Sequence, residues 1–217
     1  MNKMNSSASP QWRSAMMLLV LMSIAMPVAF NAWSALLNNF VVERAAFTGV
    51  EIGILQSLRE VPGFLAFTTV FVLLILREQT FAVFSLALLG VGVAATGFFP
   101  TEYGLYFTTV LMSIGFHYFE ATKQSLSLQW LSKEEAPAVL GKLIAVGSIT
   151  SLVVYSAMWV LLEVFALDYI WNFLLAGGVC TALALVMWLG FPHFPAKTTQ
   201  YKSCLLYTSP SPRDNRV

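Results

Sequence analysis

Charged side chains occur where this sequence is otherwise apolar, and they are its clearest indication of chemistry. Arg59 and Glu60 lie inside the second of several long apolar stretches, and His117, Glu120 and Lys123 lie inside the fourth. An ionisable group near the centre of a bilayer costs about 2.5–3.5 kcal/mol on insertion scales, so it is seldom kept without a partner or a task. We therefore expect these residues to bind a polar solute or to carry protons.

The polar residues of the fourth stretch share one helical face. At about 100° per residue, they fall within an arc of about 120°; they are Tyr106, Thr109, Ser113, His117, Glu120, Lys123, Gln124 and Ser127. Because lipid cannot satisfy these groups, the face is predicted to line the bundle interior or water. Glu120 is three residues from both Lys123 and His117, which predicts an ion pair with the first and a shared proton with the second. The alternatives are a stripe that only holds helices together and, for Lys123, a charge that extends to the interface.

The second stretch also groups polar and small residues on one side: Gln56, Arg59, Glu60 and Gly63. Neighbours along a helix diverge by about 100°, so Arg59 and Glu60 are not expected to pair well with each other. The predicted partners lie on another helix, Glu120 for Arg59 or His117 for Glu60. Arg59 is about 12 Å deep and could hold an anionic substrate group through its guanidinium. A purely structural interhelical salt bridge is the alternative.

The remaining stretches divide into polar and apolar ones. The first and fifth have polar faces, on which Asn31 and Tyr155 are expected to line the same interior path as the charged residues. Pro27 in the first can kink its helix. The third has no charge and is expected, with the sixth, to lie outside and face lipid.

Composition places these side chains in a membrane protein. Apolar residues make up 58% of the 217 positions and charged residues only 11%, which is typical of a polytopic membrane protein. The predicted fold is all-α, an antiparallel bundle of six transmembrane helices with short links; the helices are predicted at 14–37, 51–76, 80–99, 104–128, 139–165 and 169–191. With a net charge of +1, no nucleic-acid partner is expected.

Lysine and arginine are distributed unevenly between the links. One side of the bundle would hold Lys3, Arg13, Arg77, Lys133, Lys142, Lys197 and Lys202, and the other would hold only Arg44. The positive-inside rule predicts that both termini are cytoplasmic. The expected location is therefore the inner (plasma) membrane, crossed several times.

Other classes of site find no support in the sequence. It has no phosphate-binding loop, no GxSxG and no HExxH motif, and Cys180 and Cys204 are not in a CxxC pair. No cofactor or metal is expected. Residues 204–214 resemble the translation of a sequencing-library adapter, so the membrane domain is predicted at 1–203 and a non-native tail at 204–217.

Six helices with polar first, second, fourth and fifth members resemble the N-terminal half of a major facilitator superfamily transporter. The segments Leu58-Arg-Glu-Val-Pro-Gly-Phe64 and Gly115-Phe-His-Tyr-Phe-Glu120 further resemble a bacterial branch of that superfamily. The resemblance implies a parent of about twelve helices, made of two six-helix repeats, with a midplane site between them. It also implies that the partner of this chain is a C-terminal six-helix half.

The expected function is secondary active transport of a small solute by alternating access, and not an enzymatic reaction. The expected solute or proton path consists of Arg59, Glu60, His117, Glu120, Lys123, Gln124, Asn31 and Tyr155, with Glu120 and His117 as proton carriers if transport is proton-coupled. Two alternatives stay open: an intramembrane enzyme that uses His117 and Glu120 as acid and base, and a non-catalytic membrane assembly subunit.

Overall fold

The computed structural model describes residues 13–195, and these form an all-α fold without strands. The helices are α1 (Ala15–Ala45), α2 (Gly49–Phe64), α3 (Thr69–Leu73), α4 (Glu78–Thr96), α5 (Glu102–Trp130), α6 (Ala136–Trp159) and α7 (Tyr169–Gly190). A 3-10 turn, Leu65–Thr68, joins α2 to α3, and a π-helical turn, Val160–Val164, ends α6. The predicted tail at 204–217 lies outside the described residues, as do Lys3, Lys197 and Lys202.

Four of the helices are long and apolar enough to cross a membrane: α1, α4, α7, and α6 together with its π-helical turn. This confirms the prediction of a membrane protein with transmembrane helices. Helix α5 is as long as α1 but includes His117, Glu120 and Lys123. The sequence predicted a single helix through residue 76, but α2 ends at Phe64. Pro62 removes a backbone donor in its last turn, which favours the break that follows.

Local signals set the helix starts. Side chains of Ser14, Thr48, Thr101 and Asp168 accept hydrogen bonds from backbone N–H groups in the first turns of α1, α2, α5 and α7. Thr48 and Glu51 form a reciprocal capping box at α2. Helix α1 continues past its predicted end at residue 37 because Phe40 and Val41 are buried in the core, and it ends where Ala46 adopts a left-handed conformation.

The helices alternate in direction, as the contacts between them show. Asn31 contacts Ser151 and Ser23 approaches Gly147, so α1 and α6 run parallel. The C-terminal end of α1 instead meets the N-terminal end of α7, where Arg44 pairs with Asp168, so these two helices run antiparallel. We call the end of the bundle at which α1 begins the proximal end, and the opposite end the distal end.

The other pairs follow the same alternation. Ser113 and His117 of α5 contact Arg59 and Gly63 of α2 in the same order, so these two helices run parallel. Helix α4 is antiparallel to both of its main neighbours, α5 and α7. Thus α1, α4 and α6 run from the proximal to the distal end, and α2, α5 and α7 run back.

Two expectations about packing fail, the first of them in part. Consecutive helices were expected to be neighbours because their links are short; this holds for α4 and α5, but α1 packs mainly on α6 and α7, and α2 packs mainly on α5. The third stretch was expected to face lipid, but 56% of the most apolar part of α4 is buried, against 17% for α6. The reason is the small side chains of α4, including Ala82, Ser85, Gly90 and Gly92, which let α5 and α7 approach closely.

Candidate functional site

A cavity of about 470 Å³ lies between α1, α5 and α6, and we call it the α1–α5–α6 cavity. It extends from Asn31, near the middle of α1, towards the proximal end at Ser127 and Leu140. Its size is within the usual range of small-molecule sites. The cavity includes Asn31, Glu120, Lys123 and Gln124, so the structure brings together half of the residues predicted for the path.

Hydrogen bonds and ring stacking fix the walls of this cavity. The Asn31 amide donates to the Ser151 hydroxyl at 2.7 Å, and that hydroxyl donates to the Gly147 carbonyl at 2.8 Å, which ties α1 to α6. The rings of Phe30 and Phe116 stack with their centroids 4.2 Å apart, which ties α1 to α5. Both ties lie at the level of Pro27, where α1 lacks a backbone donor.

The charged pair in the cavity is Glu120 and Lys123, as the spacing along α5 predicted. Lys123 Nζ lies 3.8 Å from Glu120 Oε1, which is an ion pair but too long for a hydrogen bond. The same carboxylate oxygen is buried and accepts no hydrogen bond. Lys123 Nζ also lies 5.8 Å from the centroid of the Phe119 ring, over its face. Although Oε1 is enclosed, the Glu120 side chain as a whole is 42% exposed, so a ligand in the cavity can reach this carboxylate.

A second group of predicted residues lies between α2 and α5, and we call it the α2–α5 cluster: Arg59, Glu60, Ser113 and His117. The Arg59 guanidinium donates to Glu60 Oε1 through Nη2 at 2.7 Å and through Nε at 3.0 Å. The expectation that these neighbours would not pair is therefore wrong. Their Cβ atoms diverge, but the long arginine side chain folds back across the helix surface to reach the carboxylate.

His117 faces α2, and its nearest acid is Glu60. His117 Nε2 lies 3.9 Å from Glu60 Oε2, so the predicted approach of these two residues is confirmed, although the distance exceeds a hydrogen bond. The predicted hydrogen bond to Glu120 is not formed among the described residues, and Arg59 pairs with Glu60 and not with Glu120. His117 does not line the α1–α5–α6 cavity. The acid–base pair that an intramembrane enzyme would need is thus divided between two places.

A glycine and a hydroxyl group position the α2–α5 cluster. A Cβ atom at Gly63 would lie 2.7 Å from His117 Cε1, so only glycine leaves room for the imidazole against α2. The Ser113 hydroxyl donates to the backbone carbonyl of Arg59, in the turn before Pro62. Hydroxyl groups on a neighbouring helix commonly compensate for proline in transmembrane helices.

Tyr155 lies apart from both groups, contrary to its predicted place on the interior path. It is 45% exposed on α6 and does not line the cavity. The sequence also left out the apolar wall, formed by Met26, Phe30, Phe116, Leu140, Leu143 and Gly147. The spacing of four residues from Leu143 through Gly147 to Ser151 could have indicated that these positions share a face of α6.

Within residues 13–195, no group of three or more His, Cys, Asp or Glu side chains could hold a metal ion. Comparison with protein-family models, with curated proteins and with solved structures finds no match for the chain. The function is therefore inferred from the geometry of the α1–α5–α6 cavity and the α2–α5 cluster.

Proposed function

We propose that this chain is one six-helix half of a secondary transporter, which moves a small polar solute across a membrane by alternating access. The observation on which this depends is the α1–α5–α6 cavity, in which an ionisable pair lies between largely apolar helices. Intramembrane ionisable residues that face a cavity mark solute and ion pathways more often than they serve packing alone. The proposed solute site is this cavity.

The proposal includes two membrane crossings beyond the four apolar helices, namely α5 and the rod formed by α2, the 3-10 turn and α3. Helix α5 has 29 residues, or about 43 Å at 1.5 Å per residue, which exceeds the thickness of the hydrocarbon core. Helix α5 runs beside the apolar helix α4, the rod of α2 and α3 runs beside α5, and both keep the alternation in direction. Six crossings put Arg59, His117 and Glu120 inside the membrane, where they need a wet path or a partner.

A second six-helix half is the proposed partner, as in the major facilitator superfamily that the sequence resembles. Two observations support it. Helix α6 is the least buried of the four apolar helices and exposes Ile149, Leu152, Val153 and Trp159. The cavity also has α6 as one wall, so a partner against that helix would enclose the solute. In such transporters the site lies between repeats near the bilayer midplane.

We assign the proton, in a proton-coupled cycle, to Glu120. This carboxylate lines the cavity and has an oxygen without a hydrogen-bond donor, so that it can take up a proton or a cationic group. His117 lies on the other side of α5, close to Glu60. Its proposed role is to couple α2 to α5 and not to contact the solute.

The test uses the protein encoded by the intact reading frame, reconstituted into vesicles that contain a pH-sensitive dye. Addition of a solute from a panel of anions, cations, zwitterions and neutral polar compounds is expected to change the internal pH. With Glu120→Gln, the pH change should be lost because a neutral amide cannot carry the proton, while exchange of labelled solute, measured at a saturating solute concentration, continues. Glu163→Gln, an exposed carboxylate in the π-helical turn, is the matched control and should behave as wild type.

Two results would contradict the proposal. One is a Glu120→Gln protein with an unchanged pH signal, which removes this residue from coupling. The other is a reading frame that encodes no second six-helix repeat, together with the lack of transport for every solute tested. The second result would favour an enzyme or an assembly subunit.

A further inference from the structure

We infer that the solute of the α1–α5–α6 cavity is a small zwitterion, with an ammonium and a carboxylate on the same carbon and an apolar side chain, as in an aliphatic amino acid. This inference rests on the proposed function and names its substrate class. Three features support it: the charges of the cavity, the geometry of the Glu120–Lys123 pair and the apolar wall.

The cavity has one charge of each sign. Glu120 and Lys123 are the ionisable residues among the described side chains that line it. A ligand with a single charge would pair with one of them and leave the other uncompensated in surroundings of low dielectric constant. A zwitterion supplies a partner to both, so the sum of charges stays zero before and after binding. The cavity is therefore expected to prefer zwitterions to ligands with a single charge.

The pair is arranged loosely enough to open around a ligand. Its 3.8 Å separation leaves both groups short of a direct charge-assisted hydrogen bond, which needs about 2.7–2.9 Å. Glu120 lines the cavity with a side chain that is 42% exposed, so an ammonium group can reach its carboxylate and compensate the charge. Both side chains project from one helix at positions three apart, and they can therefore bracket two charges that a single carbon separates.

Polar and apolar groups divide the rest of the cavity in a way that suits such a ligand. Gln124 and Ser148 line it and can donate to a carboxylate, whereas the Ser127 hydroxyl already donates to the Lys123 carbonyl. The stacked rings of Phe30 and Phe116 form an apolar surface, together with Met26 and Leu143. An isobutyl or thioether side chain would bury its surface there, and the volume of about 470 Å³ accommodates an amino acid of that size.

Binding is measured with the intact protein in nanodiscs, using labelled L-leucine, with L-valine and L-methionine as further probes. The competitors are 3-methylbutylamine and 4-methylpentanoate, which keep the isobutyl group and lack the carboxylate or the ammonium. We expect each competitor to bind at least about 10-fold more weakly than leucine, because it leaves one charge of the pair without a partner. Equal displacement by either competitor, or no binding of any of the three amino acids, would overturn the inference.

Variants separate a binding role from a structural ion pair. Glu120→Gln should weaken leucine binding at least about 10-fold and weaken 4-methylpentanoate binding much less. Lys123→Gln should likewise weaken leucine binding at least about 10-fold, but it should weaken 3-methylbutylamine binding much less. Lys142→Gln, an exposed cation of α6 outside the cavity, is the control and should leave all three affinities unchanged. If both variants lose affinity for all ligands equally, while size-exclusion chromatography shows intact folding, the ion pair has only a structural role.

The outcome is distinguishable from that of the transport test. If a solute with a net charge drives the pH change and amino acids do not bind, the transporter proposal stands and the zwitterion inference fails. If leucine binds with the expected selectivity but no solute moves, the site is as inferred and the chain binds amino acids without transporting them.

Discussion

The charged residues in the interior of this protein pair within single helices. Arg59 bonds its own neighbour Glu60, and Glu120 pairs with Lys123 one turn away. His117 is the exception, since its nearest acid belongs to another helix. Pairs made within one helix do not fasten helices to each other, so breaking them should leave the bundle intact. A role in solute or proton transfer is then separable from stability.

Arg59→Gln tests that separation. The substitution removes both hydrogen bonds to Glu60, whose side chain is 59% exposed, so we expect a loss of unfolding free energy below about 1 kcal/mol. Uptake of the solute identified in the vesicle assay should fall about 10-fold or more, because a neutral amide cannot hold Glu60 beside His117, the contact proposed to couple α2 to α5. Arg44→Gln is the matched control, since it breaks an ion pair at the distal end, away from the cavity. Normal uptake by the Arg59 variant would make this arginine part of the scaffold only.

The two pairs also show what a sequence can predict about partners. The contact between Glu120 and Lys123 follows from helical periodicity alone, because residues three apart lie on one face. The contact between Arg59 and Glu60 does not, because periodicity describes Cβ directions and not the reach of a long side chain. The burial of one oxygen of Glu120 depends on α1 and α6, whose place beside α5 is a tertiary property.

Among the helices, α4 shows that an uncharged transmembrane segment need not face lipid. Its apolar composition predicted an outer position, yet it lies between α5 and α7. Lipid tails and leucine side chains are equally apolar, so hydropathy cannot distinguish a helix in lipid from one inside a bundle. Small residues can, and the glycines of α4 at 90 and 92 were the signal available in the sequence.

The glycine pair of α7 provides a sharp test of this close packing. A Cβ atom at Gly177 would lie 2.8 Å from Ala94 Cα, whereas one at Gly178 would have no neighbour within 4 Å. Gly177→Ala should therefore force α4 and α7 apart and destabilise the protein by about 1–3 kcal/mol. Gly178→Ala should be neutral or slightly stabilising, because alanine is the better helix former. Unfolding temperatures in detergent measure both, and equal effects of the two substitutions would contradict the described α4–α7 interface.

Across the bundle, the sequence predicted the class of protein better than the arrangement of its helices. Length and hydropathy predicted an all-α membrane protein with six crossings, and the structure confirms the all-α class with four helices apolar enough to cross. Connectivity was not enough to predict neighbours, because links of several residues let α2 cross to α5 and let α1 pack on α6. The cavity is a product of that non-sequential packing, so its apolar wall was missing from the predicted site.

The charges at the two ends of the bundle argue for one orientation. Both ends have acidic residues, including Glu78, Glu134 and Glu135 at the proximal end and Glu51, Glu102, Glu163 and Asp168 at the distal end. The basic residues differ: among those described, Arg13, Arg77 and Lys133 lie at the proximal end, and Arg44 lies at the distal end. The positive-inside rule then predicts that the proximal end is cytoplasmic. With that orientation, the α1–α5–α6 cavity extends towards the cytoplasmic side.

Cysteine labelling tests both this orientation and the crossing by α5. Tyr103, which is 80% exposed, and Lys133, also exposed, lie on either side of the polar stripe of that helix. In a background with Cys180→Ala and Cys204→Ser, an impermeant maleimide added to intact cells should label Tyr103→Cys at once and Lys133→Cys only after permeabilisation. Labelling in the opposite order would reverse the orientation and leave the fold unchanged. Labelling of both positions from one side would mean that α5 does not cross, and Glu120 and His117 would then lose the reason for treating them as intramembrane charges.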